Sequence, residues 1–458
     1  MKHLEKMAQA ICQHAPSPIR ALVVKTGGYI LKRKRFGGKF QKYYEWLLET
    51  PYLSRGKIEA FQMERLRIVL AEAAEHVPYY RKMFREHGFS LRNFQDLRDL
   101  KKLPILTKEV IRQQGTSLLN ERLPSTHAEE RFSSGTTGQK LRFFLSKELA
   151  WSIDSALLWR HYAWAGLPLL AKRATLGGRV FGGRASFWTH SPAENQLLLS
   201  THHLSNSTAS DYISQLRSFS PVFVQGHPSA LGFLSQHILE GGAAIAVKAV
   251  FTTGETLEES QRTCIEAAFS CRVFESYGLG ESVLAAQECD SHCGFHEASE
   301  IGVFEFEEDA STGLRWVIGT SLWNTAMPFI RYRIDDLVDS CADSSCSCGR
   351  NLPLVFRKVI GRVDDVVRAT SGSIVLPVTV RKSLGALMRP FEMFQLQQTT
   401  ANQFRLLTSE KISIRRRARI EVVLRSILGR DIQLDFCHDE LLVTEGGKQR
   451  TVVNLCRS

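Results

Sequence analysis

The chain has 458 residues, 43% of them hydrophobic and 23% charged, with a net charge of +12, enough for a sizeable core and more than one domain. No apolar run is long enough to cross a bilayer and no signal-peptide core develops after Glu5, so a cytoplasmic protein without a transmembrane segment is expected. The positive charge would suit nucleic acid, but no groove-reading motif accompanies it, so none is expected; a small anion fits better.

In chain order, residues up to about 90 read as helical. Glu59 to Ala74 repeats apolar positions at helical spacing, and His76-Val77-Pro78-Tyr79-Tyr80 then breaks the helix. From Arg131 to about Leu354, apolar runs such as Val222–Val224 and Ala246–Phe251 alternate with amphipathic stretches, the pattern of strand–helix units around mainly parallel sheets. Thr253-Gly254-Glu255-Thr256-Leu257 ends one such run and opens a helix. After Arg362 the pattern turns to a compact α+β stretch. Lys32-Arg33-Lys34-Arg35 and Arg415-Arg416-Arg417 read as solvated faces.

One segment in this order has no role in a core. Ser133-Ser134-Gly135-Thr136-Thr137-Gly138-Gln139-Lys140 combines glycines, which let successive amides converge, with hydroxyl donors and a cation. That chemistry cradles a polyphosphate. It is not the common P-loop, whose G-x-x-x-x-G-K-[ST] spacing is absent. An ordinary Gly/Ser/Thr turn is the alternative.

Three further segments share the chain with it: Phe274-Glu275-Ser276-Tyr277-Gly278-Leu279-Gly280-Glu281, Pro328-Phe329-Ile330-Arg331-Tyr332-Arg333-Ile334-Asp335-Asp336-Leu337, and Ile360-Gly361-Arg362-Val363-Asp364-Asp365. All four, in this order and spacing, resemble the motifs of the adenylate-forming enzymes. Val77-Pro78-Tyr79-Tyr80 and Leu103-Pro104-Ile105-Leu106-Thr107-Lys108 sharpen the resemblance to the phenylacetate–CoA ligase-like branch, with its capsular-polysaccharide and coenzyme-adenylylating subgroup. The resemblance implies an α/β fold: a large N-terminal domain with mainly parallel sheets, and a small C-terminal α+β lid. The expected divisions are 1–90 (the helical part of the large domain), 91–361 (its nucleotide- and acyl-binding part) and 362–458 (the mobile lid).

It also implies an ATP-dependent, AMP-forming ligase that activates a carboxylic acid as acyl-adenylate. Such a reaction brings two anions together, so a metal and cationic donors must neutralise the developing charge. Glu281 is a suitable hard ligand for magnesium. Tyr277 in its aromatic–glycine turn suits the flat adenine. Asp336 can accept from two ribose hydroxyls, and Arg362 can reach the sugar or a phosphate; a buried ion pair between strands is the other reading of these two. Asp335 stands where the family has glycine, so a differently shaped turn before Asp336 is expected. Ser133, Ser134, Gly135, Thr136, Thr137, Gly138, Lys140, Gly254, Glu255, Tyr277, Gly278, Asp336 and Arg362 form the expected nucleotide set. The resemblance further assigns Asp364 as the hinge and Lys448, in Thr444-Glu445-Gly446-Gly447-Lys448, as the lysine bridging ATP and carboxylate; an exposed hairpin lysine is the plainer reading.

Six of the ten cysteines fall between Cys271 and Cys348. Cys289 and His296, followed by Cys346 and Cys348, offer the thiolates and imidazole of a tetrahedral zinc site. His292 and Cys293 compete as ligands, Cys341 less so, and unligated cysteines in a polar loop are the bland alternative. The resemblance makes the zinc structural. Arg184, His227, Ser276 and Leu279 fall where the family shapes its acid pocket, although Arg184 and His227 also read as a surface cation and a loop histidine. Phe187 and Trp188 read equally as pocket or core. Nothing in these residues selects the acid. CoA is the acceptor implied by resemblance, with an amine or hydroxyl acceptor and AMP transfer as alternatives. A catalytically inactive binding protein, and a homodimeric arrangement, also stay open.

Overall fold

The computed structural model describes residues 17–123, 127–133, 141–178, 187–308, 314–339, 346–362, 367–385, 387–388, 394–408, 411–438 and 450–456. Helices α1 (Ser17–Phe36), α2 (Phe40–Glu49), α3 (Arg55–His76) and α4 (Pro78–Glu86) open it. The Val-Pro break does not leave the helical region. Val77 caps the end of α3 and the start of α4, and Pro78 takes the first position of α4, where its missing N–H costs nothing and its φ is already helical. Helix α5 (Lys108–Gln114) starts at Thr107, whose hydroxyl accepts from the Val110 N–H at 3.3 Å.

Strands β1 (Ala128–Phe132) and β2 (Arg142–Ser146) pair antiparallel, followed by α6 (Asp154–Trp164). The main sheet then assembles from β3 (Arg173–Gly177), β4 (Trp188–Ser191), β5 (Gln196–Ser200), β6 (Phe223–Gly226), β7 (Ala249–Thr253), β8 (Val273–Gly278), β9 (Ala285–Glu288), β10 (Phe295–Glu297) and β14 (Leu354–Phe356). Its order is β14-β10-β9-β8-β7-β6-β3-β5-β4. The middle, β8-β7-β6-β3-β5, is parallel, and the strands outside it are antiparallel. Helices α7 (Ala209–Phe219), α8 (Pro228–Glu240) and α9 (Glu259–Phe269) supply the crossovers that parallel pairing requires. They cover one face, where Ala174, Leu176, Leu197, Val224, Val250 and Leu234 share a core. Because β3 lies between β5 and β6, the strand order reverses at β3, and such reversals open a crevice at the carboxyl ends of the strands.

A second sheet is antiparallel: β11 (Gly302–Glu308), β12 (Arg315–Ser321), β13 (Tyr332–Val338) and β15 (Val359–Arg362). The connections from β11 to β12 (309–314) and from β12 to β13 (322–331) are shorter than the dozen or more residues that a parallel crossover takes, which favours that direction. Residues 367–456 build a core of their own from Val367, Val380, Leu396, Phe404, Ile420 and Leu424. It lies between α10 (Pro377–Gly385), α11 (Ile414–Leu428), the antiparallel pair β16 (Val367–Arg368) and β17 (Ile374–Val375), and a sheet of β18 (Phe394–Gln398), β19 (Gln403–Thr408), β20 (Gln433–Cys437) and β21 (Val452–Asn454). At the junction, Gly361 has φ +150, a region that suits only glycine, and a side chain there would meet Pro377. Glu258 holds Lys358 at 3.3 Å and Arg381 of α10 at 2.9 Å. No helix among the described residues is long and apolar enough to cross a membrane.

Candidate active site

Strand β13 is held by segments far away in sequence. The Leu106 N–H donates to the Arg331 carbonyl, and the Arg333 N–H to the Leu106 carbonyl, both at 2.9 Å. The Tyr80 hydroxyl, fully buried, donates to the Pro328 carbonyl at 2.7 Å and accepts from the Ile330 N–H at 3.3 Å. Val-Pro-Tyr-Tyr and Leu-Pro-Ile-Leu thus brace the strand that carries the two aspartates.

The expected turn before Asp336 is absent. Against β12, Trp316 pairs with Leu337 and Val317 with Ile334, so Asp335 and Asp336 are the extra residues of a bulge inside a continuous strand. Asp335 has no need to be glycine, because it is extended and its carboxylate pairs with Lys108 at 2.5 Å. A bulge turns side chains out of the pleat alternation. Asp336, 7% exposed, accepts from the Tyr277 hydroxyl at 2.9 Å. On its other side Asp336 lies in register with Arg362 of β15. The Tyr277 ring stands edge-on to Phe356 at 5.3 Å. The second and third motifs therefore meet at Asp336, and the backbone of the fourth lies beside it. The Arg362 side chain lies outside the described residues, as do Ser134, Gly135, Thr136, Thr137, Gly138, Lys140, Arg184, Cys341, Asp364 and Lys448.

Ser133 closes the base of the hydroxyl-rich segment: its N–H donates to the Leu141 carbonyl and its hydroxyl accepts from the Leu141 N–H, both at 2.9 Å. Glu281 follows β8 and is 7% exposed. Ser282, in the left-handed region at φ +48, donates its hydroxyl to Asp154 at 2.8 Å. Burial pushes the Asp154 carboxyl up to about 6, against the pull of Ser282 and of Arg131 at the end of β1. Asp154 thereby links the Glu281 turn to the hairpin carrying Ser133, a role that its bare sequence context does not announce.

The loops after β6, β7 and β8 are stitched together at the carboxyl edge. His227 donates from Nδ1 to the Thr253 carbonyl at 2.9 Å, and the Ser276 hydroxyl donates to the Thr252 carbonyl at 3.3 Å. Gly254 has φ +84. Glu255 accepts from the Ser229 N–H at 3.0 Å and from its hydroxyl at 3.1 Å, capping the start of α8. Gly278 ends β8 opposite Ala285, and Leu279 packs on the main core. A cavity of about 500 Å³ opens on the sheet face opposite α7–α9, between β3, β5 and β6, α6 and α1. His227, Ser276 and Leu279 do not line it; Arg173, Thr175, Gln196 and Gln225 do. Phe187 stacks on Tyr212 at 5.9 Å and, with Trp188, packs on the core under α7–α9.

The four sulfur and imidazole candidates converge. The ligand atoms of Cys289, His296, Cys346 and Cys348 all lie within 4.8 Å of one another. The Cys289 and Cys346 sulfurs are 3.5 Å apart, and Cys348 Sγ is 3.4 Å from His296 Nε2. Tetrahedral zinc with Zn–S of about 2.3 Å places ligand atoms about 3.5–3.7 Å apart, so the spacing fits a metal and is far too long for a disulfide. His296 donates from Nδ1 to the Leu352 carbonyl at 2.7 Å, which leaves Nε2 as the lone-pair nitrogen facing the sulfurs. His292 instead pairs with Glu288 at 3.2 Å. Cys293 is exposed beside Cys346, outside the four.

No protein-family profile matches the chain. Protein CapK of Staphylococcus aureus is 21% identical, the match covering 98% of this chain and 99% of CapK. Phenylacetate-coenzyme A ligase of Thermus thermophilus is 25% identical, over 77% of this chain and 80% of its own. A crystal structure of 2-hydroxyisobutyryl-CoA ligase in the postadenylation state superposes with a TM-score of 0.66 at 16% identity, covering 88% of this chain and 91% of that one. The same enzyme with an acyl-AMP and CoA in its thioesterification state gives a TM-score of 0.56 at 18% identity, over 89% and 91%. The fold is thus that of the adenylate-forming CoA ligases, and in sequence the chain is similar to CapK and to phenylacetate-coenzyme A ligase over most of its length.

Proposed function

We propose that the protein activates a carboxylic acid with ATP and passes the acyl group to CoA. A carboxylate oxygen attacks the α-phosphorus, the bond to the pyrophosphate oxygen breaks, and the acyl-adenylate then yields its acyl group to the thiol with release of AMP. The observation that carries this reading is the meeting of the motifs at Asp336: Tyr277 donates to it, Arg362 lies in register with it, and the buried Glu281 follows Tyr277 by four residues. In this reading Asp336 accepts the ribose hydroxyls, and Glu281 holds the magnesium that neutralises the α-phosphate charge. Ser133 anchors the phosphate-cradling segment, with Ser134 to Lys140 completing it. Cys289, His296, Cys346 and Cys348 hold a zinc that ties their loops together and takes no part in the chemistry. CoA as acceptor rests on the phenylacetate-coenzyme A ligases among the relatives. An amine or hydroxyl acceptor is the alternative to the thiol. Acyl-CoA formation from an accepted acid, read by mass, tests the choice: adenylate that accumulates with CoA untouched would reject the thiol acceptor.

Residues 362–458 form the lid in this proposal, turning at Asp364 and presenting Lys448 during adenylation. One small unit cannot offer both the lysine and a thiol channel to the same phosphorus and carbonyl in one pose. Proline fixes φ and removes a donor, so Asp364→Pro hinders rotation there. The variant is expected to keep most acyl-adenylate formation and lose about a hundredfold in transfer, the scale of a reacting group misplaced by about 1 Å. Lys448→Ala is expected to show the reverse. Single-turnover measurement of each half-reaction checks this, and loss of the same half-reaction in both variants would remove the hinge assignment.

A further inference from the structure

A strand in the middle of a parallel sheet covered on both faces reads apolar on both, yet β3 alternates. Ala174 and Leu176 join the core beneath α7–α9, whereas Arg173 and Thr175 face the 500 Å³ cavity. Gln196 of β5 and Gln225 of β6 add to the same wall. These groups are arranged rather than stray. Arg173, 4% exposed, reaches the Glu194 carboxylate at 2.5 Å and the Gln196 side-chain carbonyl at 3.1 Å. Gln196 donates on to the Thr175 hydroxyl at 2.6 Å, Gln225 accepts from the Tyr162 hydroxyl, and Arg35 of α1 closes on Glu194 at 2.9 Å. Burying so many polar groups beside a void is costly where apolar side chains would fill it. Trp151 and Trp159 supply flat apolar walls. The same cavity is lined by Arg131, two residues before Ser133 in the chain, and by Asp154, which accepts from Ser282 beside Glu281, so it borders residues of the proposed site of adenylation.

We propose that this cavity receives the tail of the acid, and that the acid carries hydroxyl groups beyond its carboxylate instead of a bare alkyl or aryl chain. The inference rests on the acid-activating function above. A hydroxyl both donates and accepts, and so can exchange into a wall made of Thr175, Gln196 and Gln225, while its C–H face packs on indole. A basic amine is disfavoured. Among the described residues lining the cavity, the guanidiniums of Arg35, Arg131 and Arg173 stand against two carboxylates, Glu194 and Asp154, and burial favours the uncharged form of Asp154.

The test compares kcat/KM for acid-dependent pyrophosphate release with gluconate, with hexanoate, which has the same number of carbons, and with phenylacetate. Gluconate is expected to exceed the other two by about a hundredfold or more, since a site built to pair hydroxyls strongly rejects analogues lacking them. Thr175→Val keeps the volume and removes one hydroxyl. It is expected to cut the gluconate-to-hexanoate ratio about tenfold, the scale of one lost buried hydrogen bond, mainly through KM. A merely structural role for Thr175 would lower both acids alike and leave the ratio in place, which counts against the inference. Gln196→Leu, read by the same ratio, serves if the valine variant does not fold. Preference for hexanoate or phenylacetate overturns the inference and leaves the ligase reading standing. Pyrophosphate release with other acids but not with gluconate also overturns the inference alone, and release with no acid of a broad panel overturns both.

Discussion

Glu281→Gln is expected to lower acid-dependent pyrophosphate release by about 10²–10³-fold, the usual cost of removing one group that stabilises transition-state charge, while ATP binding changes little. The substitution keeps shape and volume, so the turn through Ser282 to Asp154 should survive. What it removes is the charge that holds magnesium against the α-phosphate. Asp336→Ala should act on the other term. Hydrogen bonds to a charged acceptor contribute about 1.5–3 kcal/mol each, so losing even one of those to the ribose should weaken ATP binding by about tenfold to a hundredfold. It also strips the Tyr277 hydroxyl of its acceptor. Isothermal titration with ATP and steady-state pyrophosphate release separate the two variants. Wild-type behaviour in both would remove the nucleotide assignment.

The second large effect is on stability. Purified protein prepared without chelators is expected to carry about one zinc per chain, as one four-ligand site requires. Cys348→Ser should lose most of it. Structural zinc contributes about 10–16 kcal/mol of binding free energy in small fingers. A third of that, about 4 kcal/mol, would lower Tm by about 4–5 °C in a chain of 458 residues, at about 2.1 cal/mol/K of unfolding entropy per residue. The loss should be steep because the cluster joins β9, β10 and the loop before β14 beside Ile58, Trp164 and Leu352, tying three chain segments into one small core. Elemental analysis and a thermal melt check this. Zinc-free wild-type protein with the Tm of Cys348→Ser would remove the metal and leave only a thiol cluster.

What could be read from sequence follows from where each property is written. The hydroxyl–glycine segment, the Tyr-Gly-x-x-Glu turn and the cysteine pairs each depend on residue types at short spacing, so a single strand of text holds them. Cys289 and His296 find Cys346 and Cys348 because few other roles demand thiolates and an imidazole in two tight groups. The shape around Asp336 is different. Whether Asp335 sits in a turn or a bulge depends on the register of β12 and on Lys108, more than two hundred residues away, and neither is visible in Tyr-Arg-Ile-Asp-Asp. The cavity escaped for a similar reason. Arg173 and Glu194 look like ordinary surface charges until β3 is known to lie mid-sheet with both faces covered. One clue was present: Arg-Ala-Thr-Leu-Gly alternates where its neighbours Val222–Val224 and Ala249–Phe251 run apolar. The antiparallel direction of the second sheet was hidden too, since it is set by connection length and not by strand composition.

The central claim is that the nucleotide is cleaved between its α- and β-phosphates only when an acid is present. Incubating the protein with ATP, magnesium and a broad panel of carboxylic acids, with chromatographic quantification of nucleotides and pyrophosphate, measures this directly. The account predicts AMP and pyrophosphate in equal amounts, formed with at least one acid and absent without it, and trapped as a hydroxamate when hydroxylamine is added. Cleavage to ADP and phosphate, or turnover independent of every acid, would contradict it.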